Sequence, residues 1–146
     1  MKTPKSIAVF WFRRDLRLTD NKGLYAALES QKNVLPIFIF DSNILKELEE
    51  DDPRVSFIYQ CLESINKDLK NYNSSVKCIF GNPHEVFKNL INEYPITDVY
   101  LNKDYEPYAR ERDKSIYGLL TSHDIKLHGI KDQVIFERLE VAKADS

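Results

Sequence analysis

The stretch Ile7-Ala8-Val9-Phe10-Trp11-Phe12, followed at once by Arg13-Arg14-Asp15, decides the fold. Six apolar residues in a row carry no two-residue alternation. A strand built from them has both faces covered, as in a parallel sheet packed between helices. A second run of the same kind, Val34–Phe40, lies where the next strand of such a sheet belongs. Shorter runs at Val76–Phe80, Asp98–Leu101 and Ile125–His128 bring the candidate strands to five.

Between these runs the apolar period changes to that of a helix. Pro53–Tyr72 carries Val55, Ile58, Tyr59, Leu62, Ile65, Leu69 and Tyr72 on one face, with Pro53 where a first helical turn tolerates it. Thr19 or Asp20 is placed to cap a helix bearing Leu24, Ala27 and Leu28. Pro83 opens another bearing Val86, Phe87, Leu90 and Ile91, and a further helix runs from about Pro107 to Leu120. The order β-α-β-α-β-α-β-α-β predicts an α/β fold, a Rossmann-like doubly wound five-stranded parallel sheet with helices on both faces. The 146 residues suit one domain, read as residues 1–136. The polar, aperiodic tail Glu137–Ser146 reads as the start of an interdomain linker.

Composition narrows the function classes. Apolar residues make up 42 % and charged residues 30 %, a globular balance. The 21 basic and 23 acidic side chains give a net charge of −2, without the basic excess that a phosphate-gripping domain uses. Cys61 and Cys78 form no metal-ligand pattern, and both read as buried thiols, Cys78 alternating with Val76 and Phe80 on one strand face. The apolar run Ile7–Phe12 is too short for a signal core or a membrane span, so the expected location is cytoplasmic. With four glycines, at 23, 81, 118 and 129, the chain has neither GxGxxG nor GxxxxGK[ST], and no Gly-rich phosphate cradle is predicted.

Open α/β sheets take ligands outside the carboxyl ends of their strands. Here those ends lead into Phe12-Arg13-Arg14-Asp15, Asp41-Ser42-Asn43 and Lys103-Asp104-Tyr105-Glu106. Brought together by a doubly wound order, they offer aromatic walls, arginine donors and carboxylate acceptors, a set suited to a planar heterocycle bearing hydroxyls. Spacing alone leaves a second reading open. Asp41 could cap a following helix, Glu106 could sit in a first helical turn, and Arg13, Arg14 and Arg17 could be a solvated or packing cluster. The three histidines, 84, 123 and 128, are scattered, and no nucleophile setting is present.

The stretch Ala8–Asn21, AVFWFRRDLRLTDN, resembles the opening of DNA photolyases and cryptochromes, WFRRDLRxxDN. The resemblance continues through Leu35–Asp41, Arg54-Val55, Gly81-Asn82-Pro83 and Asn102–Asp113. It implies a Rossmann-like antenna domain that passes excitation energy to FAD in a helical domain absent from this chain. That domain would also meet damaged DNA, so the lyase reaction, light-driven splitting of cyclobutane pyrimidine dimers, belongs to the parent protein.

By motif position, Phe38, Ile39, Phe40, Asp41, Arg54, Asp104 and Glu106 match the pocket of the branch that binds 8-hydroxy-5-deazaflavin. FMN is the second expectation. Methenyltetrahydrofolate is disfavoured, since Tyr108 and Ala109 stand where the folate branch has a polar and an acidic residue. The rival functions are the same domain of a cryptochrome receptor and a free-standing nucleotide-binding module of universal-stress type. A domain stripped of its partner should also expose apolar surface and self-associate weakly.

Overall fold

The computed structural model describes residues 6–13, 15–42, 52–103 and 107–131, with the side chains of 107 and 108 excepted. Five strands form one parallel sheet: β1 (Ile7–Phe12), β2 (Asn33–Asp41), β3 (Lys77–Gly81), β4 (Ile96–Asn102) and β5 (Lys126–Ile130). Their spatial order is β3-β2-β1-β4-β5. The helices are α1 (Lys22–Glu29), α2 (Pro53–Leu69), α3 (Pro83–Glu93) and α4 (Pro107–Ser122). The chain winds outward through β2 and β3, then returns to lay β4 beside β1. Strand order therefore reverses between β1 and β4.

Alternation along the strands sorts the core into two layers. Val9, Trp11, Ile37, Ile39, Val99 and Leu101 face Val86, Phe87 and Leu90 of α3 and Ile116 and Leu120 of α4. Ala8, Phe10, Phe12, Phe38, Phe40 and Tyr100 face Leu24 and Ala27 of α1 and Leu62 and Ile65 of α2. Both faces of β1 and β2 are covered, as their unbroken apolar runs predict. Pro begins α2, α3 and α4, where a missing N–H costs nothing.

Three expectations need correction. The cap of α1 is Asn21, which accepts from Leu24 N at 3.0 Å, and not Thr19 or Asp20. Asp20 has φ of 54° and turns the chain into position instead. The helix from Pro53 ends at Leu69 and tightens into a 3-10 turn, Lys70–Tyr72. Of its expected apolar face only Leu62 and Ile65 are buried, while Tyr59 and Tyr72 are exposed. Cys78 is exposed and Cys61 half-buried. Since β3 is an edge strand, alternation there does not imply cover.

Candidate functional site

The reversal point between β1 and β4 is where an open sheet of this order offers its crevice, and here the chain's own side chains fill it. Arg13 donates from Nη1 to Asp113 Oδ1 at 2.5 Å and from Nη2 to the Asn102 carbonyl. The Asn102 amide donates to the Asp15 carboxylate and to Asn21 Oδ1 (2.8 Å), and its oxygen accepts from Gly23 N (2.8 Å). Asp15 also accepts from Arg13 N at 2.7 Å. The loop after β1, the start of α1 and the end of β4 are thereby tied together. For Arg13 the packing reading holds. Arg17 is exposed and donates to the Asp20 carbonyl.

This lock extends toward β2. Arg112 of α4 lies 3.6 Å from Asp41 Oδ2 and 3.7 Å from Asp113 Oδ1. The guanidinium carbons of Arg112 and Arg13 stand 4.9 and 5.2 Å from the Trp11 ring centroid, within cation–π range. Asp41, only 5 % exposed, is thus a carboxylate kept inside the fold by a cationic neighbour.

The other face of the β2 end is aromatic. Phe40 stacks on Phe80 with centroids 4.5 Å apart and on Tyr59 at 5.2 Å, and meets Phe38 edge-on at 4.9 Å. Phe40 itself is buried, but Phe80 is 63 % and Tyr59 48 % exposed. Large ring surface therefore faces solvent next to a strand end that carries a buried carboxylate.

Of the residues expected at the site, Phe38, Ile39, Phe40 and Asp41 come together on the end of β2, with Ile39 and Asp41 on the α3/α4 face. Arg54 is not drawn in. Its side chain is 72 % exposed and pairs at 2.7 Å with Asp52, the cap of α2. The Arg54 side-chain hydrogen bond holds Asp52 down to about 2. Asp104 and Glu106 lie outside the described residues. Sequence reasoning missed Asn102, Arg112, Tyr59 and Phe80 as site residues. A signal for Asn102 was present, an amide ending β4 directly after the apolar run Val99–Leu101. Among the described residues no cluster of three potential metal ligands occurs.

Comparison with known proteins fits this geometry. The family model described as DNA photolyase matches residues 8–146. The chain belongs to that family. Among family members, the deoxyribodipyrimidine photo-lyase of a Synechococcus strain is 32 % identical over 127 residues, covering 87 % of this chain and 26 % of the relative. Cryptochrome-1 of Spalax judaei is 33 % identical over 120 residues, 82 % of this chain and 20 % of the relative. An uncharacterized 31.6 kDa Synechococcus protein is 34 % identical, and the chain covers 45 % of it. The chain thus spans less than half the length of each of these photolyase-family relatives.

An archaeal photolyase from Sulfolobus tokodaii, solved with two FAD molecules that imply a novel light-harvesting cofactor, superposes with a TM-score of 0.74 at 30 % identity. That match covers 86 % of this chain and 29 % of the archaeal one. A Synechocystis cryptochrome shares the fold at a TM-score of 0.80 and 20 % identity, over 90 % of this chain and 28 % of its own. The α/β fold expected from the sequence is that of these photolyase-family domains.

Proposed function

We propose that this chain is an antenna domain, binding a light-absorbing cofactor whose excitation passes to FAD in a helical domain of the parent protein. The parent then repairs cyclobutane pyrimidine dimers in DNA as a lyase, and this domain alone carries no catalysis. One observation supports this above the rest: the end of β2 carries the ring stack of Phe40, Phe80 and Tyr59 on one face and the buried Asp41 carboxylate on the other. A planar tricyclic chromophore needs such apolar ring faces, and its N–H and hydroxyl groups need such an acceptor.

We assign the walls to Phe38, Ile39 and Phe40 and the polar anchor to Asp41, with Arg54, Asp104 and Glu106 completing the set. The cofactor we favour is 8-hydroxy-5-deazaflavin, with FMN second. The Sulfolobus tokodaii photolyase, with its two FAD molecules and the light-harvesting cofactor they imply, supports a flavin-type ring as the antenna. Ala109, buried in α4, offers no polar group to a folate, which weighs against methenyltetrahydrofolate. Cryptochrome-1 relatives match over much the same stretch, so a blue-light receptor is the second reading for the parent.

The test is a parallel titration with 8-hydroxy-5-deazaflavin, FMN and methenyltetrahydrofolate, followed by absorption and fluorescence. Saturable binding of a flavin-type ring, lost in Asp41→Ala and Phe40→Ala, is the expected result. Binding of the folate alone, or of none of the three, would overturn the assignment. Dimer repair in light by the parent protein separates photolyase from cryptochrome.

A further inference from the structure

We propose that the cavity between α4 and β5 is a binding site for a nucleoside phosphate, separate from the aromatic end of β2. The cavity is open and has a volume of about 550 Å³, within the range of small-molecule sites. It sits beside the carboxyl ends of β4 and β5, one strand away from the filled reversal point.

Three cations line it. Arg110 and Lys114 stand one turn apart on α4, and Lys103 follows the end of β4. The Lys103 stem lies across β5 because position 129 is glycine: a Cβ there would come within 3.1 Å of Lys103 Cε. None of the three cations has an ion-pair partner among the described residues. Asp113 also lines the cavity, but its carboxylate accepts from Arg13 and faces Arg112, so its charge is countered from behind. The cavity therefore carries a net positive charge in a chain whose net charge is −2.

The remaining lining suits the base rather than the phosphate. Tyr117, 56 % exposed, lies about one further turn along the same face of α4, and Leu101 and Leu127 form an apolar floor from the sheet. A flat ring against Tyr117 and phosphate oxygens on the Arg110 fork and the lysines use the whole lining. Gly-rich loops are not needed, since side-chain cations replace the backbone cradle.

The probes are AMP, adenosine and pyrophosphate, titrated calorimetrically into the full chain at low and high salt. AMP should bind, adenosine should bind about tenfold more weakly or worse, and added salt should weaken AMP but not adenosine. Arg110→Glu with Lys114→Glu should abolish AMP and pyrophosphate binding. Lys103→Ala alone should weaken both if the double variant fails to fold. Tyr117→Ala should weaken AMP while leaving pyrophosphate unchanged. No AMP binding at millimolar concentration, equal binding of AMP and adenosine, or binding indifferent to these cations would overturn the proposal.

Discussion

Asn102 joins three parts of the chain through one amide, and its loss strands several groups at once. Gly23 N would lose its acceptor, and Asp15 and Asn21 a shared donor, all at buried or half-buried positions. Asn102→Ala should therefore destabilise the domain by about 3 kcal/mol, read from urea unfolding. Gly23→Ala should be at least as damaging, because a Cβ there would sit 2.5 Å from Asn102 Oδ1 and 3.0 Å from Phe10 Cε1. A second polar cluster gives a pH signature. Burial raises the pKa of Asp98, but hydrogen bonds from Lys32, His128 and Thr97 and the Lys32 charge outweigh it and hold the pKa at about 2. The folded value lies below the unfolded one, so the stabilisation is present above the ordinary aspartate value of 3.8 and fades as pH falls toward 2. Its size is on the order of 1–2 kcal/mol, discounted because half-exposed Lys32 is partly screened. Asp98→Asn should cost that amount near neutrality and little at the acid end. The Arg-Arg-Asp motif pointed to the right loop. Which of its side chains turn inward was not legible, because that depends on partners such as Asn102 and Asp113 about 90 or more residues away.

At the scale of elements, helix ends offer a direct test. Gln31 follows the C-cap of α1 with φ of 63°, a left-handed conformation in which a side chain is crowded. Gln31→Gly should raise stability by about 0.5 kcal/mol, less than the full strain because glycine also frees the unfolded chain. The two central strands were readable because a run apolar at every position fits only a strand covered on both sides. Strand β3 was placed correctly but the burial of Cys78 was misread: Cys78 and Phe80 alternate with Val76, yet among the described residues no strand lies beyond β3 and both stay exposed. Native Cys78 should accordingly be labelled by a thiol reagent before Cys61, although desolvation raises its pKa and slows the reaction. Labelling of both only on unfolding would contradict that burial pattern. Arg54 matches the pocket by motif position, and the carboxylate of Asp52, two residues before it, holds the guanidinium at the surface.

Across the whole molecule, exposed rings concentrate on the α2 and β3 side, at Phe57, Tyr59 and Phe80. Among the described residues the sheet ends in β3, which leaves one row of backbone groups there without a strand partner. Weak dimerisation through this side is the expected outcome at high concentration, visible by sedimentation, and Phe80→Lys should remove it without unfolding the domain. A dimer that survives the substitution would have to use another surface. No helix among the described residues is long and apolar enough to cross a membrane. The chain's one tryptophan, Trp11, stands edge-on to Phe87 with two guanidiniums over its ring, beneath the end of the sheet where the chromophore is proposed to lie. Indole emits where flavins and deazaflavins absorb. The domain thus contains its own optical gauge: with no added label, the emission of a single residue should dim as that end fills and recover as it empties.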